Sequence, residues 1–185
     1  MGLYIVAMSA LFFLAFAYFA VGQAAVSRNG TQTAADSAAL AAARASRDQL
    51  HDDMLAALIS GDESALQAIL QRSGTDLRAA CGQAYAFASA NGAKVDGCDP
   101  VTGTPPGFKV RVTSRSSVGS SVVKDSENVY ASAEATAVVE PRCAVDGLQG
   151  VLVQLTCDHH RVTVDPTAAG FVLDLSTFYA VHLSK

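Results

Sequence analysis

The residues that come nearest to a reactive cluster are Asp158, His159 and His160, with Asp165 a few positions further on. Histidine and carboxylate side chains are common ligands of transition metals. In a strand, however, adjacent side chains point to opposite faces, so His159 and His160 cannot hold one ion without a bulge. No third ligand lies at a recognised spacing. We therefore predict a polar loop that leads into a strand here, and no metal site.

Signatures of other reaction types are missing as well. The serines do not occur in a Gly-x-Ser-x-Gly motif, and residues 103–107 read as a proline-stiffened turn rather than a phosphate loop. The formal net charge of −4 leaves no basic excess to hold a nucleic-acid backbone. We predict a protein that is not an enzyme and has no cofactor, no nucleic-acid partner and no small-molecule substrate. A metal-dependent hydrolase, with metal at His159 and His160, is the enzymatic alternative.

The cysteines have a structural pattern. Cys81, Cys98, Cys143 and Cys157 all follow the apolar N-terminal segment, which indicates an oxidising compartment. Of the three pairings that four cysteines allow, we favour the sequential one, because each bridge then closes a short loop rich in Gly and Asp. In the loop-entropy model each bridge would contribute about 3 kcal/mol. The spacings match no common zinc site.

An uncharged apolar segment occupies residues 2–26, and the first charged residue is Arg28. As a helix, these 25 residues would measure about 38 Å, more than the roughly 30 Å of a bilayer's hydrocarbon core. Three interpretations are open: a cleaved secretory signal, a plain membrane anchor, and a helix that packs with other helices in a membrane or a filament core.

The packing interpretation is based on the mixture of bulky and small side chains along this segment. Small residues let apolar helices approach each other closely where no hydrophobic gain separates helix from lipid. We predict that this is an assembly helix with contacts made by Ala7, Ala10, Phe12, Phe13, Ala15, Phe16, Ala17, Phe19 and Ala20.

The helical pattern continues beyond the apolar segment without a proline. It ends in an amphipathic stripe made by Leu50, Met54, Leu55, Leu58 and Ile59. We predict one long helix to about residue 59, with a bend or irregularity at Asn29-Gly30 because glycine inside a helix costs about 1 kcal/mol relative to alanine.

Two shorter helices are predicted next, over about 62–72 and 75–90, separated by glycines that can end a helix. We expect the second to bury Leu77, Ala80, Cys81, Ala84 and Phe87. The period then changes to that of strands. Segments 108–115 and 128–140 alternate and are predicted to pair antiparallel, with a turn or mobile loop at 116–127 between them. Further strands are predicted at 148–156, 160–164 and 171–175, with a terminal edge strand at 180–183.

These elements predict an α+β fold: a long N-terminal helix with short helices, followed by a small antiparallel sheet. We divide the chain into a transmembrane or filament-core helix at 1–27, a helical stalk and hairpin region at 28–92, and a small β-rich extracytoplasmic domain at 93–185.

Residues 12–43 resemble the N-terminal region of the TadE/TadG-like pilus assembly proteins of actinobacteria. Those proteins have an apolar helix followed by a short motif, which is present here as Arg28-Asn29, Gln32, Ala34-Ala35-Asp36 and Ala38-Ala39. Residues 178–183 are similar to the C-terminal ends of such proteins. Prepilins of this type carry a glutamate five residues after the processing glycine; counted from Gly2, that position is Ala7.

The resemblance implies a pseudopilin-like subunit of a Tad (tight adherence, Flp-type) pilus or secretion system. Its partners would be further copies of itself or other pilin-like subunits, together with the membrane. It would lie in the cytoplasmic membrane with its C-terminal domain outside, or in a cell-surface filament. The alternative is a monomeric, membrane-anchored extracytoplasmic binding domain.

Overall fold

A computed structural model describes residues 2–72, 74, 76–119 and 128–184 of the chain. The described helices are α1 Gly2–Asp48, α2 His51–Ser60, α3 Glu63–Leu70 and α4 Leu77–Ala90. The described strands are β1 Ala93–Val101, β2 Gly107–Ser117, β3 Tyr130–Pro141, β4 Cys143–Gln149, β5 Leu152–Cys157, β6 His160–Val164 and β7 Tyr179–Leu183. The predicted α+β class is confirmed.

Helix α1 runs through Asn29 and Gly30 without a break, so the local irregularity predicted there is absent from the described helix, and the bend stays a prediction. Side-chain hydroxyls on either side donate to the helix backbone, from Thr31 Oγ1 to the Ser27 carbonyl at 2.8 Å and from Thr33 Oγ1 to the Asn29 carbonyl at 3.0 Å. The interruption lies instead at 49–50, where the Leu50 amide donates to the Arg47 carbonyl, an i→i−3 bond. The helical chain then continues as α2 to Ser60.

The short helices begin and end at the residues that the sequence indicates. Gly61 ends α2 with φ of 64°, a left-handed conformation that favours glycine. Asp62 then caps α3 by accepting the Ala65 amide at 3.0 Å, and Asp76 caps α4 by accepting the Ala79 amide at the same distance. The Gln49 side chain ties the start of α4 to the end of α1 through two hydrogen bonds with the backbone of Asp76.

The strands form two antiparallel sheets, with orders β1-β2-β3-β7 and β4-β5-β6. The predicted pairing of 108–115 with 128–140 is confirmed as β2 against β3, and the terminal strand β7 lies at a sheet edge. Residues 120–127 of the predicted 116–127 loop lie outside the described residues. The single strand predicted at 148–156 is wrong: a two-residue turn at Gly150 and Val151 divides this segment between β4 and β5.

Two further differences from the predicted strands are found. Residues 171–175 do not form a strand in the described structure, because buried Leu173 and Leu175 are held in irregular turns. Strand β1 was not predicted, although it pairs with β2 along most of its length. It contains Gly97 and Pro100, which obscure its alternation, and its register shifts between Val95 and Gly97.

The C-terminal half of α1 is the centre of the core. From Thr31 onward its inward residues are buried, most of them alanines, and they pack against α4, β2 and β3. Alanine side chains allow these elements to approach α1 closely. A similar close approach explains Gly107 in β2, since a Cβ there would collide with the Ala137 carbonyl oxygen of β3.

The contact face of α4 differs from the prediction. Its buried residues are Ala80, Ala84 and Ala88, whereas Leu77 and Phe87 are each 45% exposed and Cys81 is partly buried. Because α1 presents alanines, the helix that packs on it also presents its small side chains. The larger ones lie towards the rim.

The two disulfides follow the sequential pairing. Cys81 of α4 is bonded to Cys98 of β1, and Cys143 to Cys157 across neighbouring positions of β4 and β5. The first bridge joins the helical region to the edge of the larger sheet, and the second closes the hairpin of the smaller sheet. Both lie in the folded domain and neither touches residues 2–30 of α1.

Candidate assembly helix

The N-terminal half of α1, residues 2–30, projects from the folded domain. Its large apolar side chains are all exposed, from 52% at Leu14 to 82% at Leu3. It belongs to the one helical stretch among the described residues that is long and apolar enough to cross a membrane, and none of its most apolar 18-residue window is buried. We call residues 2–30 the apolar half of α1, and residues 31–48 the buried half.

The nine predicted assembly residues all lie in the apolar half. At 100° per residue, Phe12, Phe16 and Phe19 share one face of the helix, and Ala10 and Ala17 lie on the opposite side. Seven of the nine are exposed, while Ala17 and Ala20 are partly covered. The helix therefore offers both bulky and small positions to a neighbour, which is what close helix–helix packing in an apolar medium uses.

The motif that follows the apolar segment has a packing role in this structure. Its alanines at 34, 35, 38 and 39 are completely buried under the sheet and α4. Gln32 donates from Nε2 to Asp36 Oδ1 at 2.8 Å and is 3.4 Å from the Glu134 carbonyl oxygen of β3. The motif thus fixes the domain onto α1 at the point where the apolar half begins.

Two groups of ion pairs lie on the described surface of the domain. Glu134 lies between Lys109 Nζ at 2.6 Å and Arg111 at 3.2 Å, and hydrogen bonding to Lys109 above all lowers the pKa of its carboxyl. Arg142 pairs with Asp158, and this hydrogen bond is the main cause of the lowered pKa of Asp158. All of these groups are substantially exposed, and each is satisfied by its partner.

The histidine cluster lies in the turn between β5 and β6. Asp158 and His159 have positive φ angles of 48° and 69° and make the two-residue connection between β5 and β6, while His160 begins β6. Among the residues that the structure describes, no group of three His, Cys, Asp or Glu side chains is placed to hold a metal ion.

The C-terminal strand joins the helical region to the sheet. Tyr179 is buried, and its hydroxyl donates to the Ile69 carbonyl oxygen of α3 at 2.8 Å. Burial raises the pKa of the Tyr179 hydroxyl well above its ordinary value. The neighbouring Phe178 is also buried, so the start of β7 belongs to the core.

The sequence did not predict one contact between the apolar half and the folded domain. The end of β2 approaches Gln23, so that a Cβ on Gly119 would lie 3.5 Å from Gln23 Oε1. That oxygen is buried and has no hydrogen-bond partner within the described part of the chain. Neither residue belongs to a recognisable motif, and contacts separated by almost a hundred positions leave no periodic signal.

These features define an α+β domain built around the buried half of a helix whose apolar half is left uncovered. Comparison with known proteins places this helix in a family: residues 2–45 match the Tad family model, described as "Putative Flp pilus-assembly TadE/G-like". The resemblance inferred from residues 12–43 is thereby confirmed and extended to nearly the whole of α1. The chain carries a TadE/G-like pilus-assembly segment, and that family is one of pilus assembly rather than of enzymes.

No curated protein and no solved structure matches the chain. The family match ends at residue 45, so the similarity predicted for residues 178–183 stays a prediction, as does an origin in actinobacteria. The pilus-assembly segment and the apolar helix together indicate a membrane or cell-surface location.

Proposed function

We propose that this protein is a pilin-like structural subunit of a Tad-type pilus or filament, assembled through the apolar half of α1. The observation that carries the proposal is that the bulky apolar side chains of the apolar half are exposed and that this half lies within the pilus-assembly match. A contiguous apolar surface of this length is not stable in water and requires lipid or other protein helices around it.

The division of the chain follows from this function. The embedded helix lies within residues 1–27, the helical region 28–92 connects it to the sheets, and residues 93–185 form most of the extracytoplasmic domain. Two disulfides in the folded domain are consistent with an oxidising compartment outside the cytoplasm. Partners of the embedded helix are further copies of this chain or other pilin-like subunits.

The first experiment places a charge in the middle of the apolar half. The Ala15→Asp variant should fail to assemble, because a carboxylate near the centre of an apolar helix costs about 2.5–3.5 kcal/mol in a membrane. Filaments are counted by electron microscopy of the native host surface. Ala86→Asp, on the exposed side of α4, is the matched control and should assemble normally. Normal filaments from Ala15→Asp would contradict assembly through this helix.

A second variant separates helix packing from simple anchoring. Ala15→Leu remains fully apolar, so membrane insertion is preserved, but the larger side chain prevents close helix approach at that position. We expect fewer or no filaments with an unchanged amount of membrane-bound protein. Val21→Leu, also at an exposed position, adds one methylene without removing a small residue and serves as the control.

The alternative function is a monomeric, membrane-anchored binding domain, and the length and composition of the apolar half are sufficient for a single anchor. This function predicts that Ala15→Leu behaves as the unmodified chain in every assay and that no filaments form from either. A chain that begins at residue 46 cannot be used for this test, because it lacks the buried alanines of α1 that form the centre of the domain core.

A further inference from the structure

The hairpin formed by β2 and β3 reaches beyond the domain core to the apolar half of α1. Ser117 of β2 is paired with Tyr130 of β3, and the Val118 amide then donates to the Val129 carbonyl oxygen at 2.9 Å. One residue further, Gly119 lies against the Gln23 side chain. Gln23 precedes Thr31, where burial of α1 begins, by eight residues, or about 12 Å of helix.

Exposure along this part of α1 is reduced at Gln23 and at three other positions. Between residues 11 and 30, side chains of reduced exposure occur only at Ala17, Ala20, Gln23 and Ser27 in the described structure. Spacings of three and four residues place these four on one face of the helix. Among these positions, Gln23 is the one that the domain contacts, through Gly119, and it lies five residues before the first charged residue, Arg28.

The contact between Gly119 and Gln23 limits how deep α1 can lie in a membrane. If the hydrocarbon extended to Arg28, the Gln23 amide would lie about 7.5 Å inside it, and the backbone of Val118 and Gly119 would lie there too. Irregular backbone exposed to lipid does not occur within the hydrocarbon region, because its polar groups find no partners there. The uncharged helix up to Gly22 contains about 32 Å among the described residues, which is enough to span a hydrocarbon thickness of about 30 Å.

We propose that the bilayer surface lies at Gly22 and Gln23, and that Val118, Gly119, Val129 and Tyr130 lie in the phospholipid headgroup layer. The hairpin presents Val129 and Tyr130 there, which are 53% and 52% exposed. Aromatic residues with a polar group are favoured at this depth, and Tyr18, a little over one helical turn from Gln23, is also exposed. The surface is thus a lipid-contacting collar made by Val129 and Tyr130. It depends on membrane insertion of α1, which is part of the proposed function.

The absence of tryptophan from the sequence allows a direct test. Single-tryptophan variants Val21→Trp, Val26→Trp and Tyr130→Trp of the full chain are reconstituted in phosphatidylcholine vesicles, with and without lipids brominated at defined acyl positions. Tyr85→Trp, on the exposed side of α4, is the control away from the hairpin. Val129→Trp is a second probe of the collar, and circular dichroism verifies that each variant is folded.

We expect brominated lipid to quench the indole of Val21→Trp strongly and that of Tyr85→Trp hardly at all. Tyr130→Trp should be quenched most by bromine near the headgroup, and its quenching by aqueous iodide should be about twofold weaker than that of Tyr85→Trp. Val26→Trp should report a depth at or outside the headgroup layer.

Two results would overturn the proposal while leaving insertion intact. In one, Val26→Trp is as deep as Val21→Trp, which places the boundary at Arg28. In the other, Tyr130→Trp and Val129→Trp are as open to iodide as Tyr85→Trp, which places the hairpin in water. If Val21→Trp itself escaped quenching by lipid, insertion of α1 in the bilayer would be wrong and this inference would fail, whereas filament assembly through α1 is decided separately by Ala15→Asp.

Discussion

The two halves of α1 are one continuous helix with opposite surroundings. The apolar half has phenylalanine, leucine and tyrosine side chains that the domain leaves exposed, whereas the buried half has alanines that are completely covered. In α1 the large hydrophobic side chains are therefore the exposed ones, and the small ones are buried. The small side chains of the buried half let the sheet and α4 approach the helix axis. The large side chains of the apolar half are available for contacts outside the folded domain.

This difference assigns domain stability and attachment to two different parts of one helix. Stability of the domain depends on the buried half, while attachment to lipid or to other subunits depends on the apolar half. Substitutions should therefore affect one property and not the other, according to the half in which they lie.

The largest expected effect comes from the same substitution placed in each half. Ala38→Asp buries an unpaired carboxylate and should lower the free energy of unfolding of the domain by about 3 kcal/mol or more. Ala15→Asp should leave this free energy within about 0.5 kcal/mol, because Ala15 does not touch the domain core. Denaturant titration of the full chain in detergent, followed by near-ultraviolet circular dichroism, measures both. Equal losses would show that the halves are not independent.

Removing a disulfide should act on the domain alone. The double variant Cys143→Ala/Cys157→Ala should lose about 3 kcal/mol of domain stability in the loop-entropy model, and Cys81→Ala/Cys98→Ala a similar amount. Membrane binding by the apolar half should stay unchanged, as measured by flotation with vesicles. Loss of flotation in a variant whose domain is still folded would contradict the separation of the halves.

A smaller effect is expected at the contact between β7 and α3. Tyr179→Phe removes the hydrogen bond to the Ile69 carbonyl oxygen and should cost about 1 kcal/mol. That oxygen also accepts the Arg72 amide, so the substitution does not leave it without a partner. Tyr85→Phe, at an exposed position of α4, is the control and should change the unfolding midpoint very little. A midpoint of Tyr179→Phe equal to that of the control would show that the bond contributes nothing.

The smallest effect concerns pH. The hydrogen bond from His182 Nε2 to Glu140 Oε2 at 2.8 Å raises the pKa of His182 above its ordinary value. A raised pKa in the folded state means that the pair stabilises the domain below the unfolded-state pKa of about 6.5, and that this contribution is lost as pH rises through the folded value. Since both groups are exposed, the loss should be slight. A proton NMR titration of His182 should show its pKa falling in Glu140→Gln. An unchanged value would exclude the pairing in solution.

Several elements were predictable because local patterns specify them. The alternation in β2 and β3 identified both strands and their antiparallel pairing, and Gly61, Asp62 and Asp76 marked the ends of helices. The sequential disulfides agree with short loops between the cysteines. The division of the chain at residues 27 and 92 stays a prediction.

Other elements depend on partners that are distant in the chain. The run from 148 to 156 is apolar enough for one strand, but the left-handed Gly150 turns it into a hairpin. The face that α4 buries is determined by the alanines of α1 rather than by the hydrophobicity of Leu77 and Phe87. The sequence predicted a bend or irregularity at Asn29-Gly30, whereas the helix is interrupted at residues 49–50, where the Gln49 side chain binds the start of α4.

By itself, the sequence determined that an uncharged apolar helix begins this chain, because length, composition and the absence of proline act locally. It also determined the family resemblance that the match over residues 2–45 confirms. Only the tertiary structure decided at which residues the folded domain begins to cover that helix. Burial begins at Thr31, and Gly119 reaches Gln23, through contacts that close only when distant strands fold against α1.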